Sequence, residues 1–364
     1  MLIRTTAPAR RLPTLLLVPA AGLGLAACAS PSAPASPEAS GAATFVATTT
    51  QLGSITQDIT SCGGGTATTL MGPGDDPHEF AISSAQVADL VRADLVVANG
   101  LELETSLESS LENAVADGAT LYEVAPELDP LSYADLEAAD DTHDHAEDEA
   151  DHSEDTDHAE DEADHDPAED TDSHETDTGE AEGDDHDHGT YDPHVFLDAG
   201  RMATAAELIG AKIAEVTGDD AYVDCGTQVA TQLRETDTEV RDILSAIPEE
   251  RRVLLTDHEA YNYFADTYDF HIAGVVVPGG GTDAEPSSAE LAALVEVIQE
   301  EKVHVLFSNN ALSPQVLDAL ADEAGGDVEV VSLYTGSLGE EGSGAETYSG
   351  MMLTNAQLIA DALA

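Results

Sequence analysis

Between Asp140 and His188 the chain carries 25 aspartates and glutamates, eight histidines and neither lysine nor arginine. A stretch of that composition cannot bury enough apolar surface to offset the entropy of ordering it. It must leave whatever fold surrounds it as a disordered insertion, so the folded body has to be assembled from chain on both sides. Carboxylate and imidazole also bind divalent cations without needing a fold. A solvated linker would explain the acids but gives no reason for the imidazoles. His143, His145, His152, His158, His165, His174, His186 and His188 are therefore expected to be accessory metal ligands.

The rest of the chain can fold. Of 364 residues, 42% are hydrophobic, enough for real cores outside the acidic run. Net charge is −63, and with the run set aside 49 acidic residues still face 11 basic ones. That excess argues against nucleic acid as a partner and against docking on anionic lipid through a basic patch. At the N-terminus, Arg4, Arg10 and Arg11 precede a short apolar stretch, Leu12 to Leu25, that is too short for a good membrane span. It ends in Leu25-Ala26-Ala27-Cys28, which resembles a bacterial lipobox and marks Cys28 for lipidation. Residues 1–27 thus read as a lipoprotein signal peptide and 28–42, rich in Ser, Pro and Ala, as a flexible tether. The expected location is extracytoplasmic, anchored by lipid to the outer face of the cell membrane. In that compartment Cys62 and Cys225 are a possible disulfide.

From Phe45 onward short apolar runs alternate with helical stretches. The spacing predicts strands at 45–49, 67–71, 95–98 and 120–124, with helices at 51–60, near 84–93 behind a Ser83/Gln86 capping box, and near 104–116. After the insertion it predicts a helix at about 201–215 and a longer one at 219–247, with Val229, Leu233, Val240, Leu244 and Ile247 on one face. The rhythm then resumes, with strands at 252–255, 271–277, 303–307 and 328–331. Helices are predicted at 260–268, 288–300, 314–324 (Ser313 as cap, Pro314 first) and 347–363. This order argues for two α/β lobes, each with a parallel sheet, and a long helix between them.

Five histidines lie outside the run. His78 sits in Asp76-Pro77-His78-Glu79-Phe80, His194 in Asp192-Pro193-His194-Val195-Phe196, and His258 in Thr256-Asp257-His258-Glu259-Ala260-Tyr261. His78 and His258 follow predicted strands, and the carboxyl edge of a parallel sheet is where α/β proteins bind ligands. Three neutral imidazoles suit Zn2+ better than Mn2+ or Mg2+. His271 and His304 fall within strand patterns and read as packing or hydrogen-bonding residues.

Several stretches taken together resemble the metal-specific (cluster A-I) solute-binding lipoproteins of bacterial ABC importers, the zinc-binding ones in particular. They are Leu70-Met71-Gly72-Pro73-Gly74 through His78 and Phe80, Asp94 to Glu104, and the acid/His insertion. Pro193-His194-Val195-Phe196-Leu197-Asp198, Thr256 to Tyr261, Ala284-Glu285-Pro286-Ser287 and Thr347 to Asn355 complete the match. The resemblance covers nearly all of 45–364. It implies an N-terminal lobe (43–218, carrying the insertion at 135–190), a rigid linking helix (219–247) and a C-terminal lobe (248–364), with metal in the interlobe cleft. It further implies that His78, His194 and His258 are the ligands, that the protein captures Zn2+ for an ABC permease without catalysing a reaction, and that it works as a monomer. Many relatives supply a fourth ligand from a D-S-L-G segment. Here that segment is Gly336-Ser337-Leu338-Gly339, so the fourth ligand is left to water, Asp76 or Glu79, with a glutamate of the insertion also able to reach in. Phe307-Ser308-Asn309-Asn310 likewise lacks a more usual acidic pair. The alternatives are an extracellular zinc buffer or adhesin, a zinc-dependent hydrolase using the open ligand position, and manganese as the metal.

Overall fold

The computed structural model describes residues 43–136, 190–282, 284–325 and 328–364. Its first sheet is built from β1 (Phe45–Ala47), β2 (Ala67–Thr69), β3 (Leu95–Ala98) and β4 (Thr120–Glu123), in the order β2-β1-β3-β4, all parallel. The second has β5 (Val253–His258), β6 (His271–Val277), β7 (Val305–Asn309) and β8 (Glu329–Leu333), in the order β6-β5-β7-β8, again all parallel. Parallel strands require crossovers, and helices supply them: α1 (Thr50–Cys62), α2 (Ser84–Arg92) and α3 (Glu108–Ala116) in the first lobe. In the second, α6 (Asn262–Tyr268), α7 (Ser288–Glu301) and α8 (Gln315–Ala324) do the same. The central strands β1, β3 and β7 are buried at every position, as expected of strands covered on both faces.

Between the sheets run α4 (Ala199–Thr217) and α5 (Ala221–Leu244), and α9 (Tyr348–Leu363) closes the chain. One apolar core unites Leu52 and Ile59 of α1 with Ile209 of α4, Leu233 of α5 and Ile359 of α9, so the two lobes share a spine. Satellite cores sit behind each sheet, around Leu90 and Leu111 in one and Leu306 and Leu320 in the other. The helices α4 and α5 meet at a pair of glycines. A Cβ on Gly210 would lie 2.6 Å from the carbonyl oxygen of Tyr222 and 2.8 Å from Gly226 Cα. Cys62, at the end of α1, is joined to Cys225 of α5 by a disulfide, with 5.8 Å between the Cα atoms. No helix among the described residues is long and apolar enough to cross a membrane.

Some boundaries move. The long helix is Ala221–Leu244, shorter than the pattern over 219–247. The helix expected to start at Pro314 under a Ser313 cap begins one residue later, with Pro314 itself in the cap position and no side-chain cap. The strand expected at 252–255 runs on to His258. The capping boxes at Ser83/Gln86 and Ser287/Glu290 are both present.

The close approach of α4 and α5 leaves no room for a methyl group: a Cβ on Gly226 would stand 2.6 Å from the Ala206 carbonyl oxygen. Gly226→Ala should therefore destabilise the metal-free protein by about 1–3 kcal/mol, read as a lowered midpoint in denaturant.

Candidate metal centre

His78 lies in the loop after β2, His194 opens a short 3-10 turn ahead of α4, and His258 is the last residue of β5. The fold brings all three together. Their ligand nitrogens lie within 4.8 Å of one another, and among the described residues this is the one cluster of metal-ligating side chains. His78 Nε2 stands 3.3 Å from His194 Nε2, and the rings of His194 and His258 have centroids 5.3 Å apart. A tetrahedral zinc ion bound at 2.0–2.1 Å holds two ligand nitrogens about 3.3–3.4 Å apart, so the His78/His194 spacing suits a shared ion. His194 and His258 are buried, each 1% exposed.

The two D-P-H frames make the same turn. Asp76 Oδ1 accepts from the His78 backbone N–H at 3.0 Å, and Asp192 Oδ1 accepts from that of His194 at 2.9 Å. This is the usual local bond of an aspartate to the amide two residues on, and the intervening proline, which has no N–H, cannot compete for it. Asp192 Oδ1 also takes the ring Nδ1–H of His194 at 2.8 Å, and Asp257 Oδ1 takes that of His258 at 2.9 Å. Each carboxylate fixes the tautomer and turns the Nε2 lone pair toward the cluster. Asp257 is held in turn by the backbone N–H of Asn309 at the end of β7. Asp192 is held by the Asn262 side-chain amide at 3.0 Å.

Residues 45–362 match the profile of the family described as ZnuA, zinc-uptake complex component A periplasmic. The chain belongs to that family. It is similar to the manganese-binding lipoprotein MntA of Bacillus subtilis (27% identity over 328 residues, 87% of this chain and 88% of that protein). It is also similar to the zinc-binding protein TroA of Treponema pallidum (26% over 302 residues, 81% and 80%). The solved structure of the Treponema pallidum periplasmic zinc-binding protein TroA superimposes with a TM-score of 0.68 at 24% identity, covering 89% of this chain and all of that one. The likeness in structure supports the two-lobe fold. Family membership makes the chain a metal-binding solute receptor of ABC import and not an enzyme, which removes the hydrolase alternative.

Not every expected residue reaches the cluster of this receptor. Asp76 has both oxygens engaged, one by the His78 amide and the other by the Thr282 hydroxyl at 2.7 Å, so it orients His78. Glu79 is exposed and lies outside the cluster. No carboxylate enters from Gly336, where a Cβ would already meet Ala311 Cβ at 2.9 Å and the Asn309 amide at 3.1 and 3.2 Å. His271 and His304 are exposed rather than packed, His271 reaching only 3.8 Å from Glu301. The eight histidines of the acidic run and Cys28 lie outside the described residues. Asp192 and Asp257 were not singled out from sequence. Their signal is in the same frames, as the acid two residues before one histidine and one before the other.

Burial first, then the neighbouring His194 and His258, lowers the His78 pKa to about 3, although Asp76 pulls it up. His194 is likewise held well below its ordinary value, by burial and then by His258. The metal-free site therefore keeps these two imidazoles neutral, the state in which they bind a cation. Burial pushes Asp192 up to about 7, against the hydrogen bonds from His194 and Asn262 and the charge of His258. A cation on His194 would favour its carboxylate form.

These shifts fix the sign of a pH effect in metal-free protein. Unfolded His78 takes a proton near 6.5 while folded His78 resists to about 3, so its contribution is complete above 6.5 and lost as pH falls through that window. Asp192 works the other way between 3.8 and about 7, because its folded form binds the proton more tightly. Between pH 7 and 5, His78→Gln should lose less stability than the parent, by about 1 kcal/mol per pH unit below 6.5, and Asp192→Asn should lose more. Urea denaturation with chelator present at each pH checks both signs.

Proposed function

We propose that this chain is the zinc receptor of an ABC importer. It captures Zn2+ outside the membrane on His78, His194 and His258 and passes it to a permease by ligand exchange. The observation that carries this reading is the convergence of three imidazoles, with one ring nitrogen of each within 4.8 Å of the others, while Asp192 and Asp257 hold two of the Nδ1 atoms. Three nitrogen donors with no carboxylate among them favour zinc over manganese, which prefers oxygen. Manganese is the second reading, because MntA, one of the similar proteins, is named for it.

Anchoring through a lipid on Cys28 would keep the receptor beside its permease, in keeping with relatives that are named lipoproteins. The eight histidines between Asp140 and His188 would serve as a weak collecting surface. Their imidazoles would exchange metal readily, while His78, His194 and His258 hold it. Because one side chain of the trio comes from the second lobe, a bound ion ties the two sheets together across the cleft.

Calorimetric titration of metal-free protein tests the assignment. One tight Zn2+ site is expected, weakened more than about a hundredfold by His194→Ala and left within about twofold by replacing any single histidine of the acidic run. Equal losses from both substitutions would move the tight site into the run. In competition, Mn2+ should bind at least about a hundredfold more weakly than Zn2+, and equal affinities would favour the manganese reading.

A further inference from the structure

The segments that flank the acidic run in sequence pair with each other, and that pairing touches the candidate metal centre through Asp192. Ser132 pairs with Tyr191 in an antiparallel bridge, Tyr133 N–H donates to the Thr190 carbonyl at 3.3 Å, and Asp192 N–H donates to the Leu131 carbonyl at 2.9 Å. This short ladder is pinned to the second lobe by Tyr263. Its hydroxyl accepts from Leu131 N–H at 3.0 Å and donates to the Asp192 carbonyl at 2.7 Å.

The ladder carries Tyr133 into the cleft. The Tyr133 hydroxyl is buried and has no hydrogen-bond partner among the described residues. The chain makes room for it at Gly280, where a Cβ would lie 2.0 Å from the hydroxyl oxygen and 3.7 Å from His194 Cε1. Gly280 has φ of +73°, so glycine is favoured there by conformation as well as by space. From those two distances the hydroxyl is no more than about 6 Å from His194 Cε1, the ring carbon bonded to Nε2 and Nδ1. Asp192 and Glu259 are the acids facing Tyr133, and both are turned elsewhere. The Asp192 oxygens accept from His194 and Asn262, and those of Glu259 from Asn262 and the Gly279 amide. A buried hydroxyl left without a partner is costly, so one that persists beside a binding site calls for a partner that arrives with the ligand.

We propose that Tyr133 is a positioning residue of the metal centre, its hydroxyl donating to the water oxygen that completes the coordination of an ion held by His78, His194 and His258. The proposal rests on the reading of those three histidines as ligands and deepens it. The imidazoles fill three positions of a tetrahedral ion, and a water in the fourth is polarised by the metal. A hydrogen bond from Tyr133 to that oxygen stabilises its hydroxide form and holds it in place. Tyr133 also stands only seven residues before Asp140, where the acid/His run of the sequence begins.

The test uses the full chain with one equivalent of Co2+, whose visible spectrum reports both ligand geometry and ionisation of a bound water. His78→Ala serves as the control for the site. In Tyr133→Phe, Co2+ affinity should fall about five- to tenfold, the worth of one hydrogen bond to a polarised group. The midpoint of the pH-dependent spectral change should rise by about one unit. Metal-free stability should not fall, since no bond is lost. An unchanged affinity and midpoint would overturn the proposal, as would a loss of metal-free stability, which would make the hydroxyl structural. If His78→Ala leaves the Co2+ spectrum of the parent intact, the ligand assignment itself fails and the proposal falls with it.

Discussion

Asp192 is the residue on which the rest of the structure depends. It is fully buried, and each of its polar groups is used. Its N–H holds Leu131, its carbonyl takes the Tyr263 hydroxyl, one carboxylate oxygen takes both the amide and the ring nitrogen of His194, and the other takes Asn262. Leu131 and His194 precede α4 in the chain, and Asn262 and Tyr263 follow α5. One carboxylate thus fixes an imidazole of the candidate metal centre and ties the lobes at the same point. Burial makes its charge expensive, as its raised pKa shows, and the arrangement repays that cost most fully when a cation sits on the other side of the imidazole.

The remaining contacts between lobes follow the same logic around the rim of the cleft. Gln51 at the start of α1 donates to the Thr335 carbonyl at 2.9 Å, and the Gly74 amide donates to Ser337 Oγ at 2.7 Å. Thr50 Oγ1 accepts from the Leu338 amide at 2.9 Å. These bonds join the start of α1 and the loop after β2 to the loop after β8, at the carboxyl ends of two parallel sheets, the edge at which the histidines also lie. Behind them, the shared core of α1, α4, α5 and α9 gives the lobes a common apolar support, and the Cys62–Cys225 bridge fastens α1 to α5. The geometry of the cleft is therefore set from two directions, by packing at the back and by polar contacts at the mouth.

Much of this was legible in the sequence, because the two features that specify it are local. Strand–helix alternation pointed to both parallel sheets, since a short apolar run such as Leu95-Val96-Val97-Ala98, directly after the Ser83-capped helix, reads as a buried strand. The three histidines stood out through their shared frames. What stayed hidden was pairing at long range. Tyr133 meets Gly280, and Thr282 meets Asp76, only after two halves of the chain separated by the acidic run have folded together. Nothing in the local pattern of Tyr133 or Gly280 distinguishes them from an ordinary loop tyrosine and an ordinary turn glycine. The shift of the α8 start past Pro314 has a simpler origin: Ser313 and Pro314 both offer helix-start signals, and the structure places the proline in the cap.

A receptor must hold its ion tightly enough to capture it and loosely enough to surrender it, and the site divides those demands between its parts. Burial keeps His78 and His194 neutral, so protons do not compete for their lone pairs at ordinary pH and capture needs no prior deprotonation. Asp192 and Asp257 supply the negative charge that a divalent cation requires, but through the imidazoles and not by direct ligation. Direct carboxylate ligation would strengthen the hold and slow release. Among the described residues the cluster holds three side chains, so an ion on them would leave a fourth position open to an incoming donor, and exchange could proceed by adding a ligand before losing one. In a structural zinc site, closed by four protein ligands, that route is blocked. Gly336 offers no side-chain ligand, and with Asn309 and Ala311 crowding the space beside it that route would stay open.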